Sequence, residues 1–230
     1  MSWKLYLTGG SCRDKFLGIE NPKDLDFAVE CVDGYAGMRA EILKLGGTIY
    51  LERPEFFAIR ANIPGIGPSD FTLCRKESFY SDGRHPDSVE PGTILDDLSR
   101  RDATINAIAQ NWVTKEIIDP WHGIRDIEYK FIRAVGDPND RLSEDPLRGY
   151  RYLRFSITKQ FSIEWNLNKA LQDLPIIKLS SVKPERVREE LFKMFEFNTP
   201  LSLLLVPAYD VWFRYAFQNC GIKLIPTLRK

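Results

Sequence analysis

Asp24-Leu25-Asp26-Phe27-Ala28-Val29 sets two acids, one residue apart, at the head of an apolar run that reads as a buried strand. Side chains alternate faces along a strand, so Asp24 and Asp26 share one side while Leu25 and Phe27 take the other. Two ionised carboxylates held together in a partly dry site repel each other unless a cation lies between them, and hard oxygen donors suit Mg²⁺. An Asx-capped turn after Asn21-Pro22 accounts for the same acids without a metal, and both readings stand on these residues alone. A third acid, Asp70, opens the strand-like run Asp70-Phe71-Thr72-Leu73-Cys74-Arg75. If the two strands are neighbours, Asp70 completes a three-carboxylate metal site; otherwise it is an exposed strand-end acid.

Three further stretches offer groups that handle anions and bases. Lys4 to Leu7 reads as a short strand running into Thr8-Gly9-Gly10-Ser11-Cys12-Arg13-Asp14, and glycines at a strand-to-helix turn let backbone amides approach a phosphate. A tight turn with no ligand is the plain alternative. Arg100-Arg101-Asp102 falls in a helix expected over Leu98 to Ala109, capped by Asp96 or Asp97, with Leu98, Ile105 and Ile108 as its apolar face. Two arginines and an acid there can grip phosphate and ribose hydroxyls, or form a solvated charged patch. Glu144-Asp145-Pro146-Leu147-Arg148 starts another helix, with Asp145 at the N-cap and Pro146 at the first helical position. Arg148, Arg151 and Arg154 recur at helical spacing beside an apolar stripe of Leu147, Tyr150 and Leu153. An acceptor and a planar donor fork at one helix start can read the edge of a nucleobase; a capped helix with a solvated arginine face is the alternative.

The elements that must position these groups follow from periodicity and turn residues. Tyr35, Met38, Ile42 and Leu45 predict a helix stopped by Gly46-Gly47; Thr48 to Leu51 and Phe56 to Asn62 predict paired strands before a Gly/Pro turn at 63–68. Residues 77–93 read as a long loop, Glu116 to Asp119 as a short strand, Asp119 to Asp126 as a turn into a short helix, and Phe131 to Pro138 as a strand with a turn behind it. Only helices are expected beyond: Ile163 to Leu174, Lys183 to Phe195 with Val187, Leu191, Met194 and Phe195 as core, and Pro207 to Asn219. The last carries Tyr209, Trp212, Phe213, Tyr215 and Phe217, read as core or as a surface for a partner or a second copy, a homodimer being one expectation.

With 230 residues, 43% of them hydrophobic, the chain has enough apolar material for a substantial core. No apolar run approaches the roughly 18 residues of a membrane span, and no signal-peptide pattern follows Met1, so a cytoplasmic, non-membrane protein is expected. Cys12, Cys31, Cys74 and Cys220 form no C-x-x-C pair, and His85 and His122 lie far apart, which points away from zinc and disulfides. Net charge is zero, yet residues 1–140 carry 17 basic and 23 acidic side chains whereas 141–230 carry 15 and 9. An acidic half joined to a basic one suits a metal site beside a polyanion-binding surface, and the domain boundary is expected near residue 140.

In order, GGSCRD, DLDFAV, DFTLCRKE, SDGRHPDSV, RRDATINAIA, IRAVGDP and EDPLRGYRYLRF resemble the motifs of the class II tRNA nucleotidyltransferase and bacterial poly(A) polymerase family, a branch of the DNA polymerase beta-like nucleotidyltransferases. The resemblance runs from about residue 5 to 195. It implies an α/β fold: a nucleotidyltransferase head with a mixed sheet over 1–140, then a small all-helical neck and body over 141–230 that reads the base and binds RNA, short relative to the family. It implies addition of CMP and AMP from CTP and ATP to tRNA 3′ ends. Asp24, Asp26 and Asp70 would hold two Mg²⁺ ions, and Gly9, Gly10 and Arg13 would meet the triphosphate. Arg100, Arg101, Asp102 and Asn106 would contact the nucleotide, with ribose and phosphate met by Arg101 and Asp102. Asp145 and Arg148, supported by Arg151, would pair with the incoming base.

Cytosine and adenine both present an exocyclic amino donor, suited to an aspartate, beside a ring nitrogen acceptor, suited to an arginine. Narrower outputs of the same chemistry, CC-addition, A-addition or poly(A) tailing, remain open, as does a non-catalytic RNA-binding relative. Two departures carry expectations: Trp121-His122 where the family pattern D-P-x-G-G has a glycine at the second position alters the turn, and Gly149 in place of a bulky aliphatic loosens the base-reading helix.

Overall fold

The computed structural model describes residues 3–19, 25–78 and 88–225. The chain divides into two compact units, Met1–Tyr129 and Lys130–Lys230.

In the first unit, β1 (Trp3–Thr8) passes directly into α1 (Gly9–Phe16), followed by β2 (Leu25–Cys31), α2 (Gly34–Lys44), β3 (Thr48–Arg53), β4 (Ala58–Ile63) and β5 (Gly67–Leu73). After β6 (Arg75–Ser78) and β7 (Ser88–Pro91) come α3 (Ile94–Ser99), β8 (Ala109–Asn111), β9 (Ile117–Ile118) and α4 (Gly123–Glu128). Seven strands form a mixed sheet in the order β3-β4-β5-β2-β1-β8-β9, parallel at β2-β5 and antiparallel elsewhere. Central strands must be apolar on both faces, and β2 buries Phe27, Ala28 and Val29 in succession. Phe27 and Phe71 occupy paired register positions on β2 and β5 and stack with ring centroids 5.3 Å apart at 10°. Trp112 meets the Phe27 ring edge-on at 5.2 Å.

Several expectations are corrected here. Asp70 lies inside β5 rather than at its start. The ends of the expected loop 77–93 are an antiparallel pair, β6 with β7, whose ladder satisfies backbone groups that a loop would leave to water; its stretch 79–87, with the family-like SDGRHPDSV loop, lies largely outside the described residues. The helix expected over 98–109 does not form. Thr93 caps α3 instead of Asp96 or Asp97: its Oγ1 accepts from the Asp96 amide at 3.3 Å while Asp96 Oδ2 accepts from the Thr93 amide at 2.8 Å, a capping box. The helix stops at Ser99, a 3₁₀ turn spans Thr104–Asn106, and β8 pairs with the free edge of β1. Leu98, Ile105 and Ile108 are fully buried as the apolar pattern required, on a different backbone.

The second unit contains β10 (Phe131–Ile132), α5 (Pro138–Glu144), α6 (Leu147–Lys159), β11 (Ser162–Ile163), α7 (Trp165–Asp173), α8 (Pro184–Phe197), α9 (Thr199–Ala208) and α10 (Asp210–Arg214). It is helical save for the short parallel pair β10-β11, so Ile163 belongs to a strand and α7 begins at Trp165. That pairing draws Phe131 and Ile132 into the helical unit, which begins at Lys130 rather than near 140. The last expected helix is broken: Pro207 sits in α9, Tyr209 leaves helical geometry at φ −129°, and α10 runs into a π-helical turn at Tyr215–Asn219. Val187, Leu191 and Met194 are core as expected, while Phe195 is part exposed. Tyr209, Trp212, Phe213 and Tyr215 are buried in this unit's own core, the first of the two readings of that helix. Among the described residues no helix is long and apolar enough to cross a membrane.

Candidate active site

Asp26 and Asp70 are direct register partners across the parallel β2-β5 pair, so their side chains leave the same face of the sheet from neighbouring strands. Asp24 lies outside the described residues, and among those described no group of three or more metal-ligating side chains occurs. The pair nevertheless offers hard oxygen donors of the kind Mg²⁺ takes. Arg60 of β4, the register partner of Asp70 on its other side, places Nη1 3.7 Å from Asp70 Oδ2. The Asp26 amide donates to Ser11 Oγ at 3.2 Å, and Ser11 Oγ donates to the Thr8 carbonyl at 2.9 Å, which ties the carboxylate strand to the start of α1.

Gly9 opens α1 at φ +63°, a left-handed conformation natural to glycine. A Cβ there would lie 3.4 Å from Arg101 Nη1 and 3.7 Å from Asp26 Oδ2, so the glycine turn, the arginine and the carboxylate converge. Arg101 is fixed from two directions: Nη2 donates to Asp97 Oδ2 at 2.6 Å and to Thr8 Oγ1 at 3.2 Å. Asp97 also accepts from Arg100, an i,i+3 and i,i+4 clamp on one carboxylate. Asp97 is fully buried. Burial alone would push its carboxyl up, but the Arg101 and Arg100 guanidinium groups outweigh it and hold it below the usual range.

Arg13 and Asp102, expected at the nucleotide, are tied into a buried chain of their own. Arg13 Nη1 donates to Asn106 Oδ1 at 2.6 Å and its Nε to Asp14 Oδ1 at 2.9 Å. Asn106 Nδ2 donates to Asp102 Oδ1 at 2.9 Å, which also accepts from the Ala103 amide at 2.7 Å. The network joins the α1 turn to the Arg100–Asn106 segment. A second brace comes from the Asp119–Gly123 turn, where Asp119 Oδ1 accepts from the Gly123 amide at 2.7 Å and Oδ2 from Ile124 at 3.0 Å. Beyond it Asp126 Oδ2 accepts from Thr104 Oγ1 at 2.6 Å. His122 keeps this turn in shape without the expected glycine by adopting φ +57° itself. Cys12, beside the glycine turn, is fully buried, and burial pushes its thiol up to about 12.

In the second unit Asp145 stands one residue ahead of the N-cap of α6, which is Pro146, and still bonds the first turn. Its Oδ1 accepts from the Leu147 amide at 3.0 Å, and its carbonyl accepts from the Arg148 amide at 3.0 Å. It also closes α5, so the two helices meet at Asp145 and α6 begins at Leu147. Arg148 Nη1 donates to Glu144 Oε2 at 2.7 Å, and Glu144 Oε1 accepts from Arg141. Arg151 lies 5.6 Å from the Phe155 ring centre. Arg154 packs at 4.2 Å from the same ring and donates to the buried Glu190. The arginine stripe is therefore partnered rather than simply solvated. Gly149 does not loosen α6. A Cβ on it would fall 2.0 Å from Trp212, whose indole fills that space.

Reasoning from sequence gave Asp97 only a capping role and Glu144 none. The signal was present in both cases as an acid three and four residues from arginines. Thr104, Asp119 and Asp126 carried no comparable pattern.

Residues 5–133 match the Poly A polymerase head domain family, more than half of the chain, and the chain belongs to that family. It is 40% identical over 196 residues to the CCA-adding enzyme of Pediococcus pentosaceus, covering 85% of this chain and 47% of that protein. To the CCA-adding enzyme of Lactobacillus helveticus it is 42% identical over 126 residues, 54% of this chain and 31% of that protein. Among solved structures it superposes on a Bacillus stearothermophilus CCA-adding enzyme in complex with CTP at a TM-score of 0.77 and 25% identity, over 91% of this chain and 49% of that one. A Thermotoga maritima CCA-adding enzyme complexed with tRNA matches at 0.70 and 28%, over 91% and 47%. The chain thus spans about half the length, or less, of these relatives.

Proposed function

We propose that this chain transfers CMP and AMP from CTP and ATP to the 3′ end of tRNA without a nucleic-acid template. The observation that carries the reading is the convergence of the register-paired Asp26 and Asp70 with a glycine turn and a clamped arginine. Asp26 and Asp70, with Asp24, would hold Mg²⁺, which when bound activates the attacking hydroxyl and offsets charge on the departing pyrophosphate. The chain's own groups then have distinct duties. The Gly9-Gly10 amides at the start of α1 and the Arg101 guanidinium meet phosphate oxygens. Asp97 and Thr8 fix the orientation of Arg101, and Arg13, Asn106 and Asp102 hold the glycine turn against the segment that carries it. Asp145 accepts from the exocyclic amino group of cytosine or adenine while Arg148, set by Glu144, donates to the ring nitrogen.

The test is incubation of purified protein with Mg²⁺ and tRNAs ending before, within and after CCA, with each nucleoside triphosphate alone and in mixture. CMP and AMP addition that stops at CCA is expected. No incorporation, or equal incorporation by an Asp24→Ala/Asp26→Ala variant, overturns the reading, and product length separates CCA addition from CC-, A- and poly(A) addition.

A further inference from the structure

We propose that Trp212 is a positioning residue for base selection: its indole, seated on Gly149, sets the angle of the helix turn that carries Asp145 and Arg148. The proposal rests on the base-reading role given above to those two residues. Gly149 follows Arg148 directly, and its amide donates to the Pro146 carbonyl at 3.1 Å, within the same first turn of α6. A side chain at this point is sterically excluded, because three indole carbons of Trp212 lie 2.0, 2.3 and 2.6 Å from where its Cβ would be. No rotamer change of a flexible group relieves such a contact; the ring itself occupies the volume.

Trp212 is itself immobilised. It is completely buried, its Nε1 donates to the Leu171 carbonyl of α7 at 2.7 Å, and its own carbonyl accepts from Tyr150 Oη at 2.7 Å. Tyr150, the next residue of α6, meets the indole edge-on at 5.2 Å. One residue of α10 therefore grips two consecutive positions of α6, by its ring at Gly149 and by its backbone at Tyr150, while anchored to a third helix. The grip falls one residue from Arg148, whose guanidinium is oriented separately by Glu144. Removing the ring lets the turn tilt into the vacated space, and displacements of about 1 Å in a recognition group cost on the order of tenfold to a hundredfold.

The experiment measures incorporation of labelled CMP against UMP, and AMP against GMP, on tRNA ending before or within CCA, with the 230-residue chain and Mg²⁺. Wild type, Arg148→Ala, Trp212→Ala, Trp212→Phe, Gly149→Leu and Gly149→Leu/Trp212→Ala are compared, each checked for folding by circular dichroism and melting temperature. Trp212→Ala is expected to lower the CMP:UMP ratio about tenfold. Gly149→Leu alone is expected to lose the ratio by clash. The pair is expected to recover much of it, because the leucine refills the space the indole left. A purely structural role for Trp212 predicts a lower melting temperature with wild-type selectivity, and that result overturns the proposal. So does a double variant no more selective than either single one. If Trp212→Ala fails to fold, Trp212→Phe decides: it shrinks the ring and removes the donor to Leu171, and unchanged selectivity in a folded protein refutes the role. Wild type that adds no nucleotide, or Arg148→Ala with wild-type selectivity, instead defeats the base-reading assignment and this proposal with it.

Discussion

Each unit holds arginines on a single carboxylate, but the two clamps are built differently. In the first, Asp97 accepts from Arg100 and Arg101 and is fully buried. In the second, Glu144 accepts from Arg141 and Arg148 and keeps 20% of its side chain exposed. A buried acid between two cations is costly to break, because loss of one charge leaves the others desolvated and uncompensated. A part-exposed one is screened by solvent and is worth less. The first clamp thus holds its arginines more rigidly than the second.

The two units separate when one of them loses its chemistry. Asp26→Asn is expected to lower incorporation of CMP and AMP alike, on the order of a thousandfold, with the CMP:UMP ratio of the residual activity unchanged. A change in that ratio would place selectivity in the first unit. Asp97→Asn is expected to destabilise the protein by about 2–4 kcal/mol, measured by denaturant titration, since it removes the buried charge that both guanidinium groups bond to. The pH dependence fixes the sign. Asp97 is depressed below the usual carboxylate range, so its stabilisation is present above about pH 3.9 and lost as pH falls through its lower folded value. The gap between wild type and Asp97→Asn should therefore close on acidification below that point.

Glu144→Gln is expected to cost only about 1 kcal/mol of stability while lowering the CMP:UMP ratio, since it releases Arg148. Equal stability losses in the two clamps would erase the contrast. The smallest effect concerns the brace beneath the first clamp. His122→Gly removes a side chain from a φ of +57° and is expected to raise stability by about 0.5 kcal/mol, a shift of roughly 1–2 °C in melting temperature.

What the sequence made legible was local pattern. The glycine turn into α1, the strand that carries Asp26 and the start of α6 just after Asp145 were found that way, and apolar periodicity marked Leu98, Ile105 and Ile108 as core. The backbone carrying those three was misread because a helix and an irregular segment can bury the same residues. Here the competition was settled by the unpaired edge of β1, which took β8. Trp212 filling the space above Gly149 was invisible for a different reason: the partners lie far apart in the chain, and a glycine in a helix carries no sign of what occupies the volume it vacates. Arg13 was read as a ligand group, and its buried bond to Asn106 was out of reach of the sequence because the partners lie far apart in the chain.

The stacked Phe27 and Phe71 bear on how the site is made correctly at all. They follow Asp26 and Asp70 by one residue on the same two paired strands, so a single alignment decides both pairs. Slipping β5 by one position would turn an acid towards the core and a phenyl ring towards water, an error penalised twice over. The aromatic pair thus specifies the strand alignment: by the hydrophobic effect it disfavours any register in which Asp26 and Asp70 do not share a face.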